Sequence, residues 1–162
     1  MDDYRIKVKR LDDARKEVEE LKSVGKKIVF TNGCFDILHV GHARYLQEAK
    51  GLGDYLIVAV NSDRSVRAIK GPKRPVVSQD ERAEMLAALG FVDAVVIFDE
   101  ETPLKVIECL VPDVLVKGGD WRHEDIVGGD VVLAAGGEVR SIAFVEGVST
   151  TGIIKKISGV GS

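Results

Sequence analysis

Hydrophobic residues follow two different periods along the chain, and the alternation between them defines the predicted elements. Near the start, Leu11, Ala14, Val18 and Leu21 lie three or four residues apart among charged residues, which predicts one helix over residues 1–25. Short apolar runs bounded by glycine, asparagine or aspartate are typical of buried strands. Five such runs predict strands at residues 27–31, 55–60, 94–98, 113–116 and 138–144.

Helical segments are predicted between these strands. The apolar period and the glycines that follow it place helices at residues 41–50 and around 66–69. Ser78 and Glu81 have the spacing of a capping box, which predicts a helix from Ser78 to Leu89. A further helix is predicted with Thr102 as its cap and Pro103 as its first helical residue. Two more are predicted near Val131 and from Ser149 onward, the latter with Ile153, Ile154 and Ile157 facing inward.

The alternation of strands and helices predicts the fold class. Parallel neighbouring strands need crossover connections, and these are usually helices. We therefore predict an α/β fold, Rossmann-like and doubly wound, with a parallel five-stranded sheet and helices on both faces. A chain of 162 residues fits a single domain, 1–162, with an N-terminal helical extension at 1–25 and the core at 26–158.

Composition and charge limit the function. The formal net charge is -3 and the pI is about 5.7, so the surface as a whole repels a phosphate backbone and nucleic acid is not an expected partner. All apolar runs are far shorter than the roughly 20 residues that cross a bilayer, so no membrane association is expected. The acidic N-terminus and the presence of only two cysteines, Cys34 and Cys109, favour a cytoplasmic location.

Unusual polar residues cluster directly after four of the five predicted strands. They occupy residues 32–42, 61–63, 117–121 and 149–151. In doubly wound folds, ligands bind outside the carboxyl ends of the strands, where the strand order reverses. These four segments are therefore predicted to meet around one ligand.

The densest of these segments contains two histidines at the predicted start of a helix. His39 and His42 are three residues apart and are expected to point the same way. A helix N-terminus offers free N–H groups and a positive dipole end, and Gly33 and Gly41 let a ligand approach the backbone. The alternative for either histidine is a capping or core residue. The pair at this spacing, together with both glycines, favours a polyphosphate site.

Three other groups are weaker candidates. Residues 149–151 offer hydroxyls at another helix start, although serine and threonine are also ordinary N-caps. The basic segment 70–77 is either a mobile lid over phosphate or solvated surface. Asp120 and Trp121 either hydrogen-bond and stack on a sugar or form a turn with a half-buried aromatic ring.

Several common sites are not predicted. The two cysteines and His123 are too scattered for a structural zinc site. The sequence has no Walker lysine motif, and no Gly-x-Gly-x-x-Gly follows the first strand, which argues against a dehydrogenase. A Cys34-histidine hydrolase has a nucleophile and nearby imidazoles but no recognisable partner to orient them.

Two motifs resemble those of a known family. His39-Val40-Gly41-His42 and Ser149-Thr150-Thr151 are similar to the motifs of nucleotidyltransferases with the His-x-Gly-His signature. From about residue 27 to 157, the chain resembles the adenylyltransferase domain of ADP-heptose synthesis. The shared segments include Asn61-Ser62-Asp63, Lys70-Gly71, Arg74-Pro75-Val76, residues 115–120 and residues 134–139.

The chain departs from this family at two positions. Cys34 stands where many relatives carry a threonine whose hydroxyl contacts phosphate. Phe144 stands where related cytidylyltransferases carry an arginine that helps to hold the cytidine nucleotide. The absence of that arginine is consistent with ATP as the nucleotide.

The resemblance implies an adenylyltransferase that transfers AMP from ATP to D-glycero-β-D-manno-heptose 1-phosphate, giving ADP-heptose and pyrophosphate by direct in-line displacement. A phosphate monoester with a second pKa near ~6 is already an anionic nucleophile, so the reaction needs no general base. Mg²⁺ is expected with ATP, with no protein ligand assigned to it, and a separate sugar kinase is expected upstream. The alternatives are a cytidylyltransferase acting on a small phosphorylated alcohol and a non-catalytic nucleotide sensor. A homodimer is left open.

The resemblance, together with the residue types, implies a role for each residue of the predicted site. The catalytic group consists of His39, His42 and Lys70. The nucleotide-binding group consists of Thr31, Asn32, Gly33, Phe35, Gly41, Lys117, Ser149, Thr150 and Thr151. The substrate-binding group consists of Cys34, Asp36, Asn61, Asp63, Arg74, Gly119, Asp120 and Trp121.

Overall fold

The computed structural model describes residues 2–160, which form a single parallel sheet with helices on both faces. The strands are β1 (Val8–Lys9), β2 (Ile28–Gly33), β3 (Tyr55–Asn61), β4 (Ala94–Phe98), β5 (Val114–Gly118) and β6 (Glu138–Ile142). The helices are α1 (Leu11–Ser23), α2 (Val40–Lys50), α3 (Asp63–Lys70), α4 (Gln79–Ala87), α5 (Leu104–Leu110), α6 (Gly129–Ala134) and α7 (Thr150–Val160). Two 3-10 turns lie at Tyr4–Lys7 and His123–Asp125.

The strand order places β2 at the centre of the sheet. The order is β1-β4-β3-β2-β5-β6, and every neighbouring pair is parallel. After β2 the chain moves to one side through β3 and β4, and then crosses to the other side through β5 and β6. The strand order therefore reverses next to β2, and the crevice at the carboxyl ends of β2 and β5 is where a ligand is expected.

Successive residues of β2 pack into two separate hydrophobic cores, one on each face of the sheet. Ile28 and Phe30 pack in the core that α1, α5 and α6 cover, whereas Val29 packs in the core that α2 and α4 cover. All three side chains are fully buried. Because side chains alternate across a strand, a strand buried on both faces is apolar throughout, as the sequence of β2 is. The α/β fold with helices on both faces is confirmed.

The predicted number of strands was wrong. The described residues contain six strands, because β1 pairs with β4 through Val8 opposite Val95 and Lys9 opposite Val96. The single helix predicted over residues 1–25 is accordingly a 3-10 turn, a short strand and then α1. A strand of two residues is too short to show a periodic pattern, so the sequence carried no signal for it.

Other element boundaries are close to the prediction. The capping box is confirmed, since Ser78 and Glu81 each bond the other's backbone at the start of α4. Pro103 is the N-cap of α5 rather than its first helical residue. Ile157 was predicted to face inward, but it is 65% exposed. Among residues 2–160, no helix has the length and apolar character needed to cross a bilayer.

Candidate active site

A cavity of about 620 Å³ opens at the carboxyl ends of β2 and β5. It lies where the strand order reverses, as the fold class predicts. Its walls come from the segment after β2, the start of α2, the end of α3, the segment after β5 and the start of α7. The polar segments predicted to meet around one ligand therefore converge, except for residues 61–63.

His39 and His42 form a stacked pair at the start of α2. Their ring centroids are 3.8 Å apart and the ring planes differ by 22°. His39 is the N-cap, and its Nδ1 accepts from the backbone N–H of Gly41 at 3.1 Å. The Nδ1 of His42 accepts from the backbone N–H of His39 at 3.4 Å. Both imidazoles therefore complete a capping box, and both line the cavity.

These hydrogen bonds define the protonation of both rings. A nitrogen that accepts from an N–H carries no proton, so each neutral ring has its proton on Nε2. Within residues 2–160, neither Nε2 has a hydrogen-bond partner. Burial, and then the neighbouring charge of His39, lowers the pKa of His42 to about 4, and burial also lowers the pKa of His39. At neutral pH both rings are uncharged N–H donors.

Two glycines hold this segment close to aromatic rings. A Cβ on Gly41 would lie 2.9 Å from the His39 ring, and a Cβ on Gly33 would lie 2.9 Å from the Phe35 ring. Phe35 has a left-handed φ of 46°, and its ring centroid is 5.2 Å from that of His42. The glycines thus make room for the rings of His39 and Phe35.

The basic segment 70–77 is tied down at its C-terminal end. The carboxylate of Asp36 is 1% exposed and accepts from Arg74 Nε at 2.5 Å and from the backbone N–H groups of Val76 and Val77 at 2.8 and 2.9 Å. Burial acts to raise the pKa of Asp36, but these donors outweigh it, so the pKa is lowered and the group stays ionised. Arg74 is therefore held in place with its charge already neutralised.

Arg82, a buried residue of α4, also holds the basic segment 70–77 in place. Its side chain is fully buried in α4, an unusual position for a charged group. It donates to the carbonyls of Cys34, Asn61 and Val77 at 2.6, 2.8 and 2.9 Å, and to Asp63 Oδ1 at 2.9 Å. This one side chain joins the segment after β2, the end of β3 and the end of the basic segment.

Cys34 lines the cavity as a protonated thiol. Burial raises its pKa, and the nearby positive charges of Lys70, Arg82 and Arg74 offset this only in part. Its Sγ donates to Asn61 Oδ1 at 3.9 Å. A thiol that is protonated and lacks a base is a poor nucleophile, which argues against the hydrolase alternative.

An aromatic pair borders the cavity at the end of β5. The Nε1 of Trp121 donates to the carbonyl of Gly118 at 3.0 Å, and Lys117 Nζ lies 5.6 Å from the centroid of the Trp121 ring. Burial lowers the pKa of Lys117. The ring of Phe144 covers both glycines, since a Cβ on Gly118 or Gly119 would lie 2.9 Å from it. This side of the cavity combines flat apolar rings with one ammonium group.

The start of α7 completes the wall. Ser149 Oγ accepts from the backbone N–H of Gly152 at 3.0 Å, which is the bond of an N-cap. Thr150 Oγ1 donates to the carbonyl of Ile37 at 3.3 Å and so ties α7 to the segment after β2. Thr151 lines the cavity and is exposed. The capping role that was the alternative for this motif is present, together with a place on the cavity wall.

Comparison with known proteins agrees with this geometry. Residues 30–156 match the cytidylyltransferase-like family. The chain belongs to that family. The matched range contains both the His39-Val40-Gly41-His42 and the Ser149-Thr150-Thr151 motifs, so the family resemblance inferred from the sequence is confirmed.

Relatives with high identity support a narrower relationship within the cytidylyltransferase-like family. The chain is similar to the bifunctional protein HldE of Citrifermentans bemidjiense, with 59% identity over 93% of this chain and 31% of that protein. It is 58% identical to the HldE of Geobacter metallireducens over 96% of this chain and 32% of that protein. The chain thus spans about a third of the length of these relatives. A lipopolysaccharide core biosynthesis protein from Thermoplasma volcanium is similar in structure, with a TM-score of 0.60, 29% identity, and coverage of 75% of this chain and 98% of that one.

Most of the residues assigned from the sequence line the cavity of this cytidylyltransferase-like protein. Those that do are Asn32, Gly33, Cys34, Phe35, Asp36, His39, Gly41, His42, Lys70, Arg74, Lys117, Trp121, Ser149, Thr150 and Thr151. Those that do not are Thr31, Asn61, Asp63, Gly119 and Asp120. Thr31 is buried and bonds Tyr45 Oη and the carbonyl of Val116. Asn61 and Asp63 instead serve the network around Arg82.

Sequence reasoning missed other residues of the cavity. Tyr45, Gly118, Val145 and Val148 also line it. Tyr45 follows His42 by three positions and so shares its helix face, which was a usable signal. Arg82 gave no such signal, because a charged residue in an amphipathic helix normally faces solvent.

Proposed function

We propose that this chain is a nucleotidyltransferase that transfers AMP from ATP to D-glycero-β-D-manno-heptose 1-phosphate and releases pyrophosphate. One observation carries the proposal: two stacked, neutral imidazoles line a cavity at a helix N-terminus, each with its Nε2 N–H without a protein partner among the described residues. Such donors suit an oxyanion whose charge increases during the reaction.

The displacement needs no protein base. The acceptor's phosphate, with a second pKa near ~6, is already anionic at neutral pH and attacks the α-phosphorus of ATP. As the bond to pyrophosphate breaks, the oxygen that bridges the α- and β-phosphorus atoms gains negative charge, and charge is spread over the equatorial oxygens of the transferred group. The Nε2 donors of His39 and His42 would stabilise that charge, and no covalent intermediate with the protein forms.

Binding of the nucleotide has further anchors in the chain. The free N–H groups at the starts of α2 and α7 favour phosphate oxygens. Lys70 adds positive charge, and the hydroxyls of Ser149 and Thr151 add donors. The protein therefore acts mainly by positioning two anions and neutralising their charge.

Mg²⁺ accompanying ATP does not find a free carboxylate in this cavity. Asp36 is the one carboxylate among the described lining residues, and its oxygens are committed to Arg74 and two backbone N–H groups. Among residues 2–160, no group of three or more His, Cys, Asp or Glu side chains is placed to hold a metal ion. We therefore assign the ion to the phosphate oxygens of the nucleotide and derive no step through it.

Similarity to known proteins supports ATP as the nucleotide donor and a heptose phosphate as the acceptor. The motifs resemble the adenylyltransferase domain of ADP-heptose synthesis, and the relatives at 58–59% identity are named HldE. Phe144 stands on the cavity wall where related cytidylyltransferases carry an arginine. A kinase can place a phosphate on a sugar, so we also propose that a sugar kinase supplies the acceptor.

Pyrophosphate release measured with matched substrate pairs tests the proposal. ATP with heptose 1-phosphate should turn over faster than CTP with glycerol 3-phosphate or with ethanolamine phosphate. Equal or faster turnover with a cytidylyl pair would establish the cytidylyltransferase alternative instead. If the protein binds ATP but releases pyrophosphate with no substrate pair, the result would favour the alternative of a non-catalytic nucleotide sensor.

A further inference from the structure

Two lysines of the cavity have no carboxylate partner. Arg74 is neutralised by Asp36, but neither Lys70 nor Lys117 forms an ion pair within residues 2–160. Lys117 is half-buried, with the face of Trp121 as its neighbour. A partly buried ammonium group without a counter-charge is costly, so an anion is expected beside Lys117 when the substrates bind. Lys70 is exposed but lines the same cavity, so its positive charge can also attract an anion.

The two lysines reach the cavity from opposite sides of β2. Lys70 is the last residue of α3, the helix that follows β3, whereas Lys117 lies near the end of β5. β3 and β5 are the two neighbours of β2 in the sheet. The histidine pair follows β2 itself and therefore stands between them.

The reaction class requires this kind of arrangement. In an in-line displacement, the attacking and leaving oxygens lie on opposite sides of the phosphorus atom. Each of these oxygens belongs to an anion, the acceptor's phosphate on one side and pyrophosphate on the other. The histidines at the centre are uncharged donors, so they cannot neutralise two polyanions.

We propose that Lys117 binds the phosphate of the acceptor and that Lys70 binds the departing pyrophosphate. The inference rests on the proposed nucleotidyl transfer and assigns Lys117 to the acceptor rather than to the nucleotide. Trp121 beside Lys117 offers a flat apolar face for the C–H groups of a sugar. Lys70 lies on the opposite side of β2 from Lys117 and is therefore assigned to the opposite anion, the departing pyrophosphate.

Kinetics of Lys117→Gln test the acceptor side. A lost charge-assisted hydrogen bond should raise the KM for heptose 1-phosphate about 10- to 100-fold. The KM for ATP should change less than about twofold, because the nucleotide keeps its own anchors. Lys117→Arg, which keeps the charge, should recover most of the acceptor affinity. Lys105→Gln is the matched control, since Lys105 is 73% exposed on α5 and outside the cavity.

The reverse reaction tests the leaving-group side. In pyrophosphorolysis of ADP-heptose, Lys70→Gln should raise the KM for pyrophosphate and Lys117→Gln should raise the KM for ADP-heptose. A rise in the KM for ATP or pyrophosphate in Lys117→Gln, with acceptor KM unchanged, would overturn the assignment. So would equal effects of Lys117→Gln on both substrates.

Direct binding separates this inference from the identity of the sugar. If the parent protein makes no ADP-heptose, calorimetry with pyrophosphate and with glucose 1-phosphate still reports on the two lysines. Lys70→Gln should then weaken pyrophosphate alone, and Lys117→Gln should weaken glucose 1-phosphate alone. The opposite pattern, or no loss in either variant, would contradict the assignment.

Discussion

His39 has two roles that a substitution to alanine would combine. Its Nδ1 caps α2, and we propose that its Nε2 donates to the transition state. Asparagine at an N-cap keeps an acceptor for the helix but removes the imidazole donor. A matched pair of variants can therefore separate helix stability from rate.

We expect His39→Asn to lower kcat about 10² to 10³-fold, or roughly 3 to 4 kcal/mol, by analogy with the loss of one oxyanion donor. Its unfolding free energy should stay close to that of the parent. His39→Ala should lose a similar factor in kcat and about 1 kcal/mol of stability in addition. Single-turnover kinetics, ATP dissociation constants and urea unfolding check this. Near-normal turnover of His39→Asn would show that His39 only caps α2 and does not stabilise the transition state.

His42 is one source of the pH dependence of stability. Its pKa falls from 6.5 to about 4 on folding, so the unfolded chain binds this proton more tightly. The resulting stability is present above about pH 6.5 and is lost as the pH falls towards about 4. We expect urea unfolding between pH 7 and pH 4.5 to show a steeper loss for the parent than for His42→Asn. Equal slopes would mean that His42 titrates as an exposed histidine does.

At the scale of elements, Arg82 holds three segments together that the chain does not join locally. Removing it leaves buried carbonyls of Cys34, Asn61 and Val77 without a donor and Asp63 without its ion-pair partner. The basic segment that carries Lys70 would lose one of its two anchors.

We expect Arg82→Met to destabilise the fold by about 3 to 5 kcal/mol, the usual cost of breaking a buried ionic network from one side. Thermal and urea unfolding measure this directly. Arg67→Met on α3 is a control, because Arg67 is exposed and does not line the cavity. A loss below about 1 kcal/mol in Arg82→Met would show that water satisfies the freed groups.

The elements that the sequence predicted well are those whose signal is local. The apolar runs placed β2 to β6 within a few residues, and the Ser78–Glu81 pair gave the start of α4. The site was predictable as far as strand ends bring polar residues together. Asp36 and Arg74 meet across 38 positions and Arg82 reaches Cys34 across 48, so no local pattern reveals either contact.

At the scale of the whole molecule, residues 2–25 contact the rest of the fold in two places. Ala14 and Val18 of α1 are buried in the core that also contains Ile28 and Phe30 of β2. Tyr4 Oη donates to Glu84, and Lys7 Nζ donates to the carbonyl of Leu89, so the segment before α1 also holds α4.

We expect removal of residues 1–25 to cost several kcal/mol, since burial of Val18 alone is worth about 1.5 to 3 kcal/mol. Circular dichroism during urea unfolding compares the shortened and full chains. Val24→Ser is a suitable control in the same segment, because Val24 is 70% exposed. Unchanged stability of the shortened chain would mean that this segment does not stabilise the core.

The two-residue strand β1 also has a consequence for how copies of this chain behave at high concentration. β4 reads Ala-Val-Val-Ile-Phe, and β1 occupies its outer edge at Val95 and Val96. An uncovered, flat and apolar edge strand is a template for pairing with other chains and for aggregation. At the opposite edge, β6 is short and carries Glu138 and Arg140, which discourage such pairing. Loss of β1 would therefore uncover the edge of β4 and favour fibres or precipitates, even where the cavity itself is intact.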